Sequence, residues 1–166
     1  AGVDNAVALD NVKLRYWFTK DSNQTLTVAC DSAANIGGCG NVHLSTAPVT
    51  PAYRGADTVL EMTFTSGTTL QPATGTGDIK LHITKQDGSN FTETGDFSFI
   101  TTTPITANPK IALYKLNTEL AWELAWGNEP HEVPFCGDQI VDPPRIPRWL
   151  PSYLEQMRFF LRSCFL

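Results

Sequence analysis

The chain has 166 residues and a net charge of -5, with a pI near 5.1, and is long enough for one domain that buries roughly two thirds of its unfolded surface. An acidic balance argues against nucleic acid and anionic membrane surfaces, which are held through Lys and Arg clusters; neutral polysaccharides and metal cations stay open. Charged residues make up 17%, below the usual ~25%, and Thr, Ser, Asn and Gly fill the difference, a composition of short strands and turns.

From Val7 to Trp126 the chain reads as strands separated by turn clusters. Val12, Leu14, Tyr16 and Phe18 alternate with Lys13, Arg15 and Thr19, the period-two pattern of a half-buried strand, which Trp17 interrupts. Leu60, Met62 and Phe64 repeat the pattern, and Ile79, Leu81 and Ile83 repeat it again. Each run ends in Gly, Asn, Asp or Ser within a few residues, as antiparallel sandwiches do.

Glu119-Leu120-Ala121-Trp122 is followed at once by a second copy, Glu123 to Trp126. Alternation predicts a strand with Leu120, Trp122, Leu124 and Trp126 on one face, although Ala, Leu and Glu would also suit a helix. After Pro130 the composition changes. Five prolines lie from Pro134 to Pro151, and Leu154, Met157, Leu161 and Phe165 then follow at helical spacing, predicting a short amphipathic C-terminal helix with Pro151 at its first position. That helix is too short to cross a bilayer; it would pack on the module, on a neighbouring domain, or on a partner or membrane surface. The expected organisation is a β module over residues 1–130 and a Pro-rich tail with a helix over 131–166.

The four cysteines, Cys30, Cys39, Cys136 and Cys164, form no Cys-x-x-Cys pair, so disulfides are expected rather than thiolate metal sites. Asn23-Gln24-Thr25 and Asn90-Phe91-Thr92 are sequons that would accept glycans on a eukaryotic secretory route. No signal peptide is visible at Ala1, as expected of a mature or trimmed chain.

Several phrases occur in a fixed order. Asn11 to Thr19 reads Asn-Val-Lys-Leu-Arg-Tyr-Trp-Phe-Thr and leads to a turn at Asp21. Cys30-Asp31 precedes Ala33-Ala34 and then Gly38-Cys39-Gly40-Asn41-Val42. Gly55-Ala56-Asp57, Leu60-Glu61, Phe64-Thr65-Ser66-Gly67 and Gly77-Asp78-Ile79 come next. Ser89-Asn90-Phe91-Thr92, Gly95-Asp96-Phe97-Ser98-Phe99 and Trp126-Gly127-Asn128-Glu129-Pro130 complete the series. In this order, over about residues 7 to 130, they resemble the family 3 carbohydrate-binding modules. The resemblance implies an all-β, antiparallel, jelly-roll-like sandwich. It also implies a non-catalytic, extracellular module that attaches to cellulose or a related polysaccharide, beside a catalytic glycoside hydrolase domain or neighbouring copies of itself.

Two departures stand out. Family members begin with further strands that precede the segment matched by Ala1, so the chain is expected to be trimmed or to have that place filled by the tail after Pro130 or by a neighbouring strand. The duplicated Glu-Leu-Ala-Trp is expected to lengthen the last strand.

Some members grip crystalline cellulose through a flat aromatic strip, because apolar sugar faces stack on rings while polar groups bond hydroxyls at the rim. Asp31 is kept here, but the next position is Ser32, the turn aromatic is Gly88, the Arg position is His82, and the Tyr loop is shortened to Asn35-Ile36-Gly37-Gly38. The expectation is therefore weak or single-chain glucan binding, through Asp31 and His82; Tyr53 and Arg54 could rebuild a sugar contact from a nearby loop, although an ordinary exposed turn is the simpler account of them. The resemblance also implies a structural calcium held by Thr19 and Asp21 from one loop and Thr92, Gly95 and Asp96 from another; two aspartates capping their own turns is the plainer reading. Cys30 and Cys39 are expected to form a disulfide, and Cys136 with Cys164 a second. No nucleophile with a base and no metal-binding His pair is present, so catalysis is not expected. The other class open to this sequence is a structural subunit that assembles extracellular fibres or a surface layer by strand exchange.

Overall fold

In the computed structural model the structure describes residues 6–71, 74–101 and 107–131. Nine strands follow in chain order: β1 (Val7–Ala8), β2 (Val12–Phe18), β3 (Leu26–Ser32), β4 (Val42–Tyr53), β5 (Ala56–Phe64), β6 (Thr69–Leu70), β7 (Lys80–Lys85), β8 (Ile111–Leu116) and β9 (Trp122–Trp126). Short 3-10 turns at Leu9–Asn11, Ala34–Ile36 and Cys39–Asn41 complete the regular structure among the described residues. The expected C-terminal helix, the Pro-rich tail and the Cys136–Cys164 bridge lie outside the described residues.

All pairings are antiparallel. A five-stranded sheet runs β4-β5-β2-β8-β9, a second sheet pairs β3 with β7, and a short one pairs β1 with β6. The periodic runs explain the layering. In β5 buried and half-buried positions alternate without a break from Ala56 to Phe64, which puts Leu60, Met62 and Phe64 on one face. Met62 and Phe64 meet Leu9, Ala33, Ile36 and Val42 in the main core, and Cys30, Ile79 and Leu81 pack on it from the β3–β7 side. The result is a β-sandwich. Five strands spaced about 4.8 Å apart make a face wider than a two-stranded sheet covers. Beside β7, among the described residues, lies an open cavity of about 490 Å³ lined by Leu14, Tyr16, Leu81, Ile83, Phe91 and Ile111, among others.

Trp17, which breaks the alternation, points to the opposite face of the sheet. It is 4% exposed and forms a second core with Ala56, Ala112 and Tyr114, covered by Val49, Tyr53 and Phe97. Lys13 on that same face corrects a sequence expectation. The period-two pattern puts it on the solvent side, yet it is only 7% exposed, because its ammonium sits 3.4 Å from Glu61 and against the rings of Tyr114 and Trp122. An ion pair and two π-faces offset the desolvation of the charge.

The duplicated segment also differs from expectation. The strand begins only at Trp122; Leu120 lies in the preceding turn at φ 60°. An irregularity between Leu113 and Tyr114 pairs Trp126 with Leu113 but Leu124 with Tyr114, so Trp126 leaves the alternation of Trp122 and Leu124. The repeat lengthens the hairpin turn rather than the strand.

Candidate functional site

The Asp31–His82 pair is built by an irregularity in the β3–β7 ladder. Cys30 pairs with Leu81 and Ser32 with Lys80, which leaves Asp31 as an extra residue. Alternation in β7 sends Leu81 into the core and His82 outward. His82 Nδ1 then lies 2.7 Å from Asp31 Oδ1, with both side chains about half exposed. Imidazole Nε2 and the second carboxylate oxygen remain to meet a ligand's hydroxyls. A Cys30–Cys39 disulfide with a sequence separation of 9 residues pins this strand end, as expected.

Tyr53 and Arg54 are elsewhere. They stand at the β4–β5 hairpin, where Tyr53 packs on the Trp17 cluster and Arg54 is exposed. Among the described residues no hydrogen bond or ion pair joins them to Asp31 or His82. Gly55 in this turn has φ +73°, and a Cβ there would stand 2.2 Å from the Gly95 carbonyl oxygen. The close approach holds the loop carrying Asp96 against the hairpin.

The residues expected around a cation form two hydrogen-bonded pairs. Asp96 Oδ1 accepts the Thr19 N–H at 2.8 Å, and Asp21 Oδ2 accepts the Thr92 N–H at 2.7 Å. Asp57, which no local pattern within Gly55-Ala56-Asp57 marks as a ligand, lies near Asp96: its Oδ1 accepts from the Lys20 N–H at 2.8 Å and from the Thr58 hydroxyl at 2.7 Å. Burial raises the pKa of Asp96 above the ordinary carboxylate value; hydrogen bonds from Thr19 oppose the rise and the charges of Asp21 and Asp57 add to it. A divalent cation would relieve that repulsion, and each carboxylate has a second oxygen to offer. The side chains alone do not make a complete cage: among the described residues no group of three or more His, Cys, Asp or Glu is arranged as a metal centre. Backbone carbonyls would have to supply the remaining oxygens, as calcium permits. Lys85, 5% exposed, approaches Asp21 to 4.0 Å and donates to the Asn90 carbonyl at 2.8 Å, so a cationic group already serves part of the cluster.

The described residues form an antiparallel β-sandwich with an exposed polar pair, Asp31 and His82, beside a disulfide-pinned strand end. A family model described as cellulose binding domain (CBM_3) matches residues 2–124, and the chain belongs to that family. The family's modules bind cellulose and carry out no reaction. Among its relatives, beta-mannanase/endoglucanase A of Caldicellulosiruptor saccharolyticus is 33% identical over 128 residues, covering 76% of this chain and 9% of the relative. Cellulosomal-scaffolding protein A of Acetivibrio thermocellus is 33% identical over 133 residues, covering 76% of this chain and 7% of the relative. The chain thus spans less than a tenth of the length of either relative. A solved family 3b module from the major scaffoldin subunit of Acetivibrio cellulolyticus is similar at a TM-score of 0.65 and 33% identity, covering 76% of this chain and 78% of that one.

Proposed function

We propose that this chain is an extracellular module that binds β-glucan or cellulose-type polysaccharide weakly, as single chains rather than as a crystalline face, and that it carries a structural calcium. The observation that supports the site is the half-exposed Asp31–His82 pair across the bulge. Its surroundings argue for weak binding. Ser32 and Gly88 add no ring beside it, and in the shortened loop Ile36 is 5% exposed, spent on the core. The disulfide suits an oxidising, extracellular setting, and exposed Asn23 and Asn90 would admit glycans there. Among the described residues no helix is long and apolar enough to cross a membrane. Calcium would be held by Asp96, Asp57 and Asp21 with carbonyls from the Thr19 and Gly95 loops. By analogy with its relatives the partner would be a catalytic glycoside hydrolase domain or a scaffold.

The test is a pull-down on insoluble polysaccharides. Wild type is expected to bind swollen cellulose and the Asp31→Ala, His82→Ala double variant to bind markedly less; equal binding by both would place the site elsewhere.

A second reading, assembly into extracellular fibres or a surface layer through strand exchange, is favoured by one observation. Among the described residues β7 pairs only with β3, and the apolar cavity opens beside it. A strand added there would cover Tyr16 and Ile111. Size exclusion and electron microscopy separate the readings: polymers without polysaccharide affinity would favour assembly, and a monomer retarded by glucan would exclude it.

A further inference from the structure

Resting on the carbohydrate-binding reading, we propose that the lengthened β8–β9 hairpin, with Trp122 at its centre, is a second binding platform for a single chain of a neutral β-linked polysaccharide.

Two features of this hairpin cost stability and have no evident use within the sandwich. Leu120, 78% exposed, sits at φ 60°, where a Leu Cβ crowds its own backbone. Trp122 and Leu124, 39% and 48% exposed, share the strand face of Tyr114, and with Leu120 in the turn before them they make three of the five large exposed hydrophobic side chains among the described residues. Apolar groups concentrated on one short element mark a contact surface.

The tip is rigid. Asn117 Oδ1 accepts the N–H groups of Glu119 and Ala121, each at 2.9 Å, and its Nδ2 donates to Glu123 at 2.6 Å. Its backbone N–H donates to the Ala121 carbonyl at 2.9 Å, and its carbonyl accepts the Leu120 N–H at 3.1 Å. Five hydrogen bonds to one residue fix the turn, and the Lys13 ammonium, 4.6 Å from the Trp122 ring centre, fixes the ring. A ring held in place loses little entropy when it stacks.

The floor beside the ring selects the occupant. Lys13 and Arg15 meet Glu61 at 3.4 and 2.8 Å, and Glu129 accepts from the Tyr114 hydroxyl and lies 4.0 Å from Arg15. Two cations and two carboxylates balance one another, so the surface offers hydrogen-bonding groups without net charge. That chemistry fits a neutral ligand with alternating apolar C–H faces and hydroxyls better than a polyanion. Trp122 would stack on one sugar ring while the Glu61 and Arg15 row bonds hydroxyls of the same chain.

The test is titration of the full chain with cellohexaose, read by intrinsic tryptophan fluorescence, alongside affinity electrophoresis in soluble cellulose derivative. Trp122→Ala is expected to weaken binding about tenfold, the size of one stacking contact, and Trp122→Phe to keep affinity within about threefold of wild type. Deleting 119–122, which leaves a single copy of the repeat, provides a second variant that should fold with unchanged β content and show the same loss. The Asp31→Ala, His82→Ala variant should still show the fluorescence change. Unchanged affinity in Trp122→Ala while wild type binds would overturn the platform and leave the wider reading standing; failure of wild type to bind any glucan would overturn both. A concentration-dependent dimer abolished by Trp122→Ala with glucan affinity intact would show that the occupant is a second copy and also overturn it.

Discussion

Ser98 is the most instructive single residue to remove. It is 1% exposed, and its hydroxyl accepts the Trp17 N–H at 2.9 Å while donating to the Lys110 carbonyl at 2.5 Å. Its own N–H donates to the Trp17 carbonyl at 3.1 Å, so this one residue closes the end of β2 against the start of β8 where no strand does so. Ser98→Ala leaves the buried Trp17 N–H and the part-buried Lys110 C=O unpaired. Each such group costs about 1–3 kcal/mol, the carbonyl toward the low end, which gives about 2–4 kcal/mol in total. A domain of this size loses roughly 4 °C per kcal/mol, so the melting temperature should fall by about 8–16 °C. Thermal unfolding followed by near-UV circular dichroism measures it, with Ser89→Ala on an exposed turn as the control. A fall of under about 3 °C would show that water or backbone relaxation replaces the hydroxyl and would refute the accounting.

Three other outcomes follow from the geometry. Replacing Cys30 and Cys39 by Ser opens a loop with a separation of 9 residues; the chain-entropy model assigns about 2.7 kcal/mol to its closure, or roughly 10 °C, read from the same melting curves. Asp96→Asn keeps an acceptor for the Thr19 N–H but removes a carboxylate whose folded pKa is raised by burial and by Asp21 and Asp57. Ionised Asp96 therefore opposes folding at neutral pH and ceases to as pH falls through its folded pKa toward 3.8, so the variant should be more stable without metal. It should also lose the stabilisation of about 2.7 kcal/mol that calcium at a hundred times its dissociation constant gives wild type; a calcium response equal to wild type would contradict the site. For Glu61, burial raises the pKa, but the Arg15 hydrogen bond and the Lys13 charge outweigh it and hold the value below 4.5. Its stabilisation is complete above pH 4.5 and lost as pH falls through the folded pKa, so urea midpoints of wild type and Glu61→Gln should differ at pH 7 and converge in acid.

Much of the sandwich was legible because strand periodicity reports burial directly: Leu60, Met62 and Phe64 alternate in sequence and on β5 alike. Lys13 and Trp17 were not legible, since a strand packed on both faces has no single polar side, and the rings over Lys13 come from β8 and β9, about a hundred residues away. Asp31 and His82 were named separately, and their contact depends on a bulge that no local pattern announces. The hairpin turn was misread because Glu-Leu-Ala-Trp alternates like a strand, whereas Asn117, an Asx-turn former, decides the matter. Its position just before the repeat was the available signal. Asp57 could have been found from its place directly after a Gly-containing hairpin that faces the Asp96 loop.

The most direct test of the account is a pair of adsorption isotherms for the full chain, one on acid-swollen and one on microcrystalline cellulose, each with calcium present. Saturable binding to swollen cellulose with much weaker binding to the crystalline form is predicted. Absence of adsorption to either, or tighter binding to the crystalline face, would contradict it.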